Sequence, residues 1–274
     1  MAQFELENGA VRLTGEEVGE GRPVVLLHGL TATRRYVVHG SVALARRGHR
    51  VISYDARGHG ASAGAPTVAG YSYDELTEDL RGLLREKAEG QRPVLAGHSM
   101  GAHTAVALAL GRSEELGGLV LICPASLGAP LPDEVLEEWD RLAEGLERGG
   151  VEGFIDVYDA GLEVDEKWRE TLLRITRERL QHHRDPGAVA AALRQVPRSS
   201  PFDGLAELEF LELPTLLVAS RDEADPGHPF AVAEAWAERI PGATLVSEEP
   251  GESPLAWQGG RLSRQIADFI DRPA

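Results

Sequence analysis

The sequence predicts an α/β fold built on a mostly parallel central sheet with helices on both faces. Short apolar runs alternate with helical patterns over residues 24–123. A Gly-x-Ser-x-Gly motif stands between one such run and an alanine-rich helical pattern, and the alternation resumes after residue 202. Apolar runs bounded by turn residues are typical of strands buried on both faces, as in parallel sheets. The 274 residues suit one such domain with an inserted subdomain.

The first half of the chain opens with loosely alternating residues 4–13, in which Asn8-Gly9 indicates a hairpin. Strands are predicted where short apolar runs meet turn residues, at 24–30 including a closing turn, 51–55, 93–96 and 119–122. Helices are predicted where apolar residues recur at helical spacing, at 34–47, 73–88 and 100–110. These elements form the first part of the predicted core, residues 1–123.

The pattern changes over residues 124–202, where no strand-like run occurs and apolar residues recur at helical spacing amid dense charge. This segment is predicted to form a cap of three to five helices. The core then resumes over residues 203–274. Its predicted elements are a strand at 215–219, a helix at 230–240, a strand at 243–246 and a helix at 262–270.

Composition restricts the class of partner. With 28 lysines and arginines against 44 acidic residues, the net charge is −16, which argues against nucleic acid and anionic membranes. No export signal or apolar stretch of membrane-spanning length is visible, so a cytoplasmic protein with a small-molecule substrate is expected. The single cysteine, Cys123, follows a strand-like run and is expected to be a buried small side chain. Oligomeric state stays open.

The motif around Ser99 predicts a nucleophile. A serine at a sharp strand-to-helix turn has strained backbone angles and presents its hydroxyl to solvent. Gly97 and Gly101 provide the room that such a turn needs, because strand and helix nearly touch there. The backbone N–H of Met100 then lies at a helix N-terminus, where the helix dipole favours a developing negative charge.

Nearly the whole chain resembles the α/β-hydrolase superfamily. His28-Gly29 resembles the family's oxyanion loop, and the segment Gly97–Gly101 resembles its nucleophile elbow. Residues 55–62 resemble the D-x-R-G-H-G-x-S turn of many esterase, lactonase and cofactor-free haloperoxidase-like members. The predicted cap also stands where the family has its lid.

The resemblance implies a catalytic set in the order serine, acid, histidine. Ser99 would be the nucleophile, and the backbone N–H groups of Met100 and Leu30 would form the oxyanion hole. The acid is expected in the loop after the strand at 215–219. Asp225 resembles the family pattern more closely there than Asp222, although both stand four residues before a proline.

The sequence departs from the family at the base. Glu252 stands where the histidine is expected, and no histidine follows His228. Three explanations are open. His228 can serve as a substitute base. Glu252 can be the base itself, crowding Asp225 so that one carboxyl pKa is raised. The site can also be degenerate. The other nearby histidines are expected to be structural, with His28 supporting the oxyanion loop and His98 pointing into the sheet.

The predicted function is a serine-dependent hydrolase of a small carboxylic ester, thioester or lactone, with an atypical triad. The alternatives are a non-hydrolytic enzyme (a lyase, cyclase or isomerase) with Glu252 as proton carrier, or a ligand-binding protein. No cofactor is predicted, because the Gly58–Ala63 G-x-G-x-x-A pattern runs into a loop instead of a helix. No metal is predicted either, since the paired histidines lack the carboxylate and the spacing of a zinc site. Trp257 is expected in the pocket wall or in the core.

Overall fold

A computed structural model describes residues 1–221, 223, 225–253 and 255–272. An eight-stranded sheet in the order β1-β2-β4-β3-β5-β6-β7-β8 forms its centre. The strands are β1 (Ala2–Asn8), β2 (Val11–Val18), β3 (Arg22–Leu27), β4 (His49–Asp55), β5 (Val94–His98), β6 (Gly118–Ile122), β7 (Thr215–Ala219) and β8 (Thr244–Ser247). Strands β3 to β8 run parallel, and the hairpin β1–β2 joins β4 antiparallel. The predicted mostly parallel sheet is confirmed.

Helices connect these strands and cover the sheet. They are α1 (Ala43–Arg46), α2 (Tyr73–Lys87), α3 (Met100–Arg112), α4 (Asp133–Gly161), α5 (Glu166–Leu180), α6 (Pro186–Gln195), α7 (Phe230–Arg239) and α8 (Gly260–Ile270). Helix α4 breaks at Gly150, whose φ of 60° is not helical. The capping serine Ser72 accepts the N–H of Glu75 at the start of α2, as expected of a residue that satisfies unpaired helix donors.

The predicted helix over residues 34–47 is wrong in most of its length. The segment forms one 3₁₀ turn, Arg34–Tyr36, and the four-residue helix α1. His39 and Gly40 between them have positive φ values of 47° and 70°, which a continuous helix excludes. The three valines of the segment also disfavour a helix, because their branched side chains lose rotamer freedom there.

The core forms two layers, one on each face of the sheet. Successive residues of β3 alternate between them: Val25 and Leu27 pack toward α2, α3 and α7, whereas Val24 and Leu26 pack toward α1 and α8. All four side chains are buried. The continuous apolar run in the sequence is therefore a strand covered on both faces, as the pattern predicted.

Helices α4, α5 and α6 follow β6 and precede β7 in the chain. Their apolar side chains pack with residues of the core in a third cluster. This cluster includes Leu30 and Met100, the two residues predicted to supply the oxyanion hole. The helical segment therefore packs over the edge of the sheet where the nucleophile is predicted. Within the described residues, no helix has the length and apolar character needed to cross a bilayer.

Candidate active site

Ser99 lies at the turn between β5 and α3 with strained backbone angles, φ 52° and ψ −116°. Few non-glycine residues adopt positive φ, and those that do cluster at functional sites. A Cβ at Gly97 would lie 2.2 Å from the carbonyl oxygen of Gly101, and a Cβ at Gly101 would lie 2.3 Å from that of Leu27. The close approach of strand and helix therefore requires glycine at both positions, as the motif predicted.

The predicted oxyanion loop lies directly against this turn. A Cβ at Gly29 would come within 2.8 Å of His98 Nδ1 and 3.3 Å of Ser99 Cβ. Ala56 N–H donates to His28 Nε2 at 2.9 Å, so the proton of the neutral ring is on Nδ1, which donates to Gly29 O at 2.8 Å. Burial, together with the charge of His59, lowers the pKa of His28 to about 3 and keeps the ring neutral. His28 thus supports the loop, as expected.

The turn after β4 braces the same loop from behind. Buried Asp55 accepts the N–H groups of Ala61 and Arg34 at 2.9 and 2.8 Å and forms an ion pair with the Arg34 guanidinium. His59 Nε2 lies 2.9 Å from the carbonyl oxygen of Leu30. The motif at residues 55–62 therefore positions the chain on both sides of the loop's predicted donor, Leu30.

A histidine of the helical segment completes this support, and sequence reasoning missed it. Gly60 N–H donates to His183 Nδ1 at 2.9 Å, so His183 Nε2 carries the proton and donates to Thr31 O at 3.1 Å. Burial and the charge of His59 lower the pKa of His183 to about 3. Because its two partners are backbone groups far away in the sequence, no local pattern could have indicated this role.

Asp225 and His228 form a hydrogen-bonded pair in the loop after β7. His228 Nδ1 lies 2.9 Å from Asp225 Oδ2. Burial raises the pKa of Asp225, but the charge and hydrogen bond of His228, with smaller contributions from His98 and Arg179, outweigh burial and leave that pKa below its ordinary value. With Nδ1 held by the carboxylate, Nε2 of a neutral ring is left to accept a proton. The alternative acid, Asp222, lies outside the described residues.

His98 does not point away into the sheet, contrary to expectation. Its ring meets that of His228 edge to face, with centroids 5.2 Å apart. Burial and the charge of His228 lower the pKa of His98 to about 3, so this ring is neutral. The strained turn at Ser99 follows immediately, and alternation along the strand does not predict side-chain direction there.

The same three side chains are the one group among the described residues whose donor atoms could hold a metal ion. Donor atoms of His98, Asp225 and His228 lie within 4.8 Å of one another. Zinc bonds of about 2.0–2.2 Å would bring such atoms to within about 3.5 Å of each other, so the observed cluster is looser than a loaded site. The absence of a metal stays a prediction.

Comparison with known proteins identifies the family of the chain. A sequence model described as "Alpha/beta hydrolase family" matches residues 24–257. The chain belongs to the alpha/beta hydrolase family. It is 26% identical over 282 residues to the non-heme chloroperoxidase CPO-A1 of Kitasatospora aureofaciens, covering 96% of this chain and 97% of that protein. The match to an sn-1-specific diacylglycerol lipase of Mus musculus is shorter, with 39% identity over 107 residues, 38% of this chain and 33% of that protein.

Solved structures of α/β-hydrolases superpose over almost the whole chain. A thermophilic esterase from Thermogutta terrifontis has a TM-score of 0.80 and 27% identity, with 98% of both chains covered. An enol-lactonase from Burkholderia xenovorans LB400 has a TM-score of 0.80 and 23% identity, with 98% of this chain and 100% of that one covered. Several curated relatives, by contrast, are matched over about half of their own length or less.

Glu252 lies in a different environment from the one that its sequence position predicts. Its carboxylate pairs with Arg261 at 2.9 and 3.0 Å and accepts the N–H of Glu249 at 2.8 Å. The hydrogen bond from Arg261, followed by that from Glu249, lowers the pKa of Glu252. The expectation that Glu252 crowds Asp225 and raises a carboxyl pKa is therefore wrong, because a guanidinium faces this carboxylate instead.

Glu248 also follows β8, and unlike Glu252 it is buried. This residue was not identified from the sequence. Glu248 is 2% exposed; its Oε1 accepts Arg221 N–H at 2.6 Å and its Oε2 accepts the indole N–H of Trp257 at 2.9 Å. Trp257 also donates to Ala219 O and packs in the core, which decides between its two expected roles. Glu248 therefore holds the start of the loop that carries Asp225 and His228.

Cys123 is buried between β6 and the same loop, as expected of a structural side chain. Its Sγ lies 3.9 Å from Ser220 Oγ. Burial raises the pKa of the thiol, so it carries little nucleophilic thiolate.

Proposed function

We propose that this α/β-hydrolase is a serine-dependent hydrolase of a small carboxylic ester, thioester or lactone. In this proposal Ser99 is the nucleophile and His228, oriented by Asp225, is the base that the usual position lacks. The observation that carries the proposal is the 2.9 Å contact between His228 Nδ1 and Asp225 Oδ2, with the His228 ring against that of His98, the residue before the strained Ser99.

The proposed reaction has two halves. Ser99 Oγ attacks the carbonyl carbon while Nε2 of His228 takes its proton, and Asp225 stabilises the resulting imidazolium. The backbone N–H groups of Met100 and Leu30 bind the oxyanion, each lowering the barrier by on the order of 3 kcal/mol. The imidazolium then protonates the leaving group, and water hydrolyses the acyl-serine with the same histidine as base.

Two features favour His228 over the other candidate bases. Glu252 is engaged by Arg261 and has a lowered pKa, so it is a weak proton acceptor. His98 has a pKa lowered to about 3 by burial, which makes its ring a poor base as well. The non-hydrolytic alternative, which needs Glu252 as proton carrier, loses its support for the same reason.

We also propose that the helical segment, residues 124–202, acts as a cap over the acyl-binding space. Its apolar cluster includes Leu30 and Met100, and His183 contacts the chain beside Leu30. Removal of water by such a cover strengthens the interactions of the donors with the oxyanion.

The test is covalent labelling combined with turnover. The protein is incubated with a fluorophosphonate and, separately, with p-nitrophenyl butyrate, and its intact mass and nitrophenol release are followed alongside Ser99→Ala. We expect one stoichiometric adduct and steady turnover, both lost in the variant. A wild-type protein that neither forms an adduct nor releases nitrophenol would refute the serine mechanism, and the ligand-binding alternative would then be tested by ligand screening.

A further inference from the structure

One arginine of the helical segment lacks the partner that its neighbours have. The other arginines of α5 each pair with a carboxylate, as Arg169–Asp159, Arg174–Glu178 and Arg177–Glu152. Arg179, on the same helix, makes no ion pair with any carboxylate of the described residues. In a chain with 44 acidic residues and a net charge of −16, acidic partners are abundant, so an unpaired arginine is conspicuous.

The guanidinium of Arg179 is also short of hydrogen bonds. Nη2 donates to Thr176 Oγ1 at 3.2 Å. Nε is shielded from solvent and has no hydrogen-bond partner in the part of the chain that the structure describes. Since arginine carries five N–H donors, most of its binding capacity is unused. The side chain is half-buried. Partial burial of a charge that no carboxylate offsets costs free energy, which a bound anion would offset.

Arg179 is close to the candidate catalytic groups. Its positive charge contributes to lowering the pKa values of Asp225 and His98, and also that of His39 in the chain beyond the oxyanion loop. Although the charges of Arg179 and Asp225 influence each other, the two groups do not form an ion pair. The guanidinium and the carboxylate are therefore more than 4.0 Å apart. The next residue in the chain, Leu180, packs in the apolar cluster that contains Leu30 and Met100.

Two tyrosines lie near the same guanidinium. The negative charges that Tyr36 and Tyr158 would carry act on Arg179, so both phenols lie near the guanidinium. Burial raises the pKa values of both phenols and keeps them protonated. Protonated phenols donate hydrogen bonds, and a guanidinium offers a planar pair of donors that matches a carboxylate. The local set is thus rich in donors and suits an anionic, planar acceptor.

We propose that Arg179 binds a carboxylate carried by the substrate, so that the substrate is an ester, thioester or lactone derived from a dicarboxylic acid. The identity of the substrate class rests on the hydrolase activity proposed above. The carboxylate at one end of the substrate would remain bound to Arg179 through the reaction, while Ser99 attacks the acyl carbon at the other end. Binding energy from this non-reacting group would orient the acyl carbon at the serine.

The kinetic test compares two esters that differ by this carboxylate, mono(4-nitrophenyl) adipate and 4-nitrophenyl hexanoate, after subtraction of uncatalysed hydrolysis. In Arg179→Met, we expect kcat/KM for the adipate half-ester to fall on the order of 10- to 100-fold more than kcat/KM for the hexanoate, the range expected for a lost charge-assisted hydrogen bond. Arg177→Met, which removes a surface arginine of the same helix, is the matched control and should change the ratio less than twofold. Equal losses on both esters, or an equal change in the control, would overturn the proposal.

A binding test separates this inference from the hydrolase mechanism. Calorimetry of the Ser99→Ala protein with monomethyl adipate needs no turnover. We expect binding that is lost in Ser99→Ala/Arg179→Met and retained in Ser99→Ala/Arg177→Met, with no drop in melting temperature on loss of Arg179. Binding without any esterase activity in the wild-type protein would refute the serine mechanism and keep the carboxylate site. Absent binding, or a melting temperature lowered by loss of Arg179, would refute the carboxylate site and assign Arg179 a structural role.

Discussion

The pairing of Asp225 with His228 leads to a quantitative prediction about catalysis. Asp225→Asn replaces the charged acceptor of His228 Nδ1 by a neutral amide, which can also donate to that nitrogen and reverse the tautomer. The hydrogen bond between His228 Nδ1 and the charged Asp225 carboxylate is 2.9 Å long. A hydrogen bond to a charged group contributes on the order of 1.5–3 kcal/mol, or about 10- to 150-fold in rate. Reversal of the tautomer adds to this loss. In serine hydrolases the equivalent change costs about 10⁴-fold. We therefore expect kcat to fall about 10²- to 10⁴-fold.

His228→Gln removes the proposed base itself. The expected loss in kcat is on the order of 10⁴-fold or more, leaving the residual catalysis of the oxyanion hole and substrate binding. The double variant Asp225→Asn/His228→Gln should be no slower than His228→Gln alone, since Asp225 acts only through the histidine. Such strong non-additivity is the signature of residues that act as a unit.

The assay is stopped-flow release of nitrophenol from p-nitrophenyl butyrate, which separates acylation from deacylation. His98→Gln is the matched comparison, because it replaces the other histidine of the same cluster, whose ring is expected to be a poor base. Two results would refute the reasoning: a His228→Gln protein within tenfold of the wild type, or losses that multiply in the double variant. A larger loss for His98→Gln than for His228→Gln would transfer the role of base to His98.

Two further predictions concern residues outside this pair. Glu252→Gln and Glu252→His should each leave kcat within about threefold of the wild type. Both break an exposed ion pair with Arg261 and change the hydrogen bond from Glu249 N–H, and neither contact involves Asp225 or His228. A strong gain of esterase activity in Glu252→His would instead reveal a decayed triad. His183→Gln should reduce the acid sensitivity of folding. Because burial lowers the pKa of His183 from 6.5 to about 3, folding stability is lost as pH falls through this window. Removal of this one group should reduce the slope of unfolding free energy against pH by about 1.4 kcal/mol per unit, measured by urea unfolding; an unchanged slope would contradict the assignment.

Most strands and helices could be predicted from the sequence, because the periodicity of apolar residues is a local signal. Residues 215–219 and 73–88 were predicted almost to the residue, since each has a pattern with a single interpretation and clear turn residues at its ends. The helix predicted over residues 34–47 is wrong although its valines have helical spacing. The positive φ values of His39 and Gly40 determine a loop conformation there and exclude a continuous helix.

The site was predictable only where a motif specifies backbone geometry. Gly97 and Gly101 indicate a close approach that the backbone itself requires, and the structure has that approach. The direction of His98 and the partner of Glu252 depend on side chains distant in the sequence, His228 in the first case and Arg261, nine residues away, in the second. Spacing to a family motif could identify Glu252 as an unusual residue but not what it binds.

If His228 is the base, as proposed, the segment after β8 need not carry a histidine. His228 N–H donates to Asp225 O at 3.1 Å and Asp225 N–H to Arg221 O at 2.9 Å, so local turns of one loop bring acid and base together. An ordinary triad brings acid and base from two loops and depends on their packing. Here the loop is held from outside by contacts that include Arg221 N–H with Glu248 Oε1 at 2.6 Å and Gly251 N–H with Glu223 Oε1 at 2.7 Å. The segment after β8 therefore supports the loop and need not supply the base. In this arrangement, substitution of Glu248 should misplace Asp225 and His228 together, whereas substitution of the Glu252 side chain, which contacts Arg261 and Glu249 N–H, should leave the pair intact.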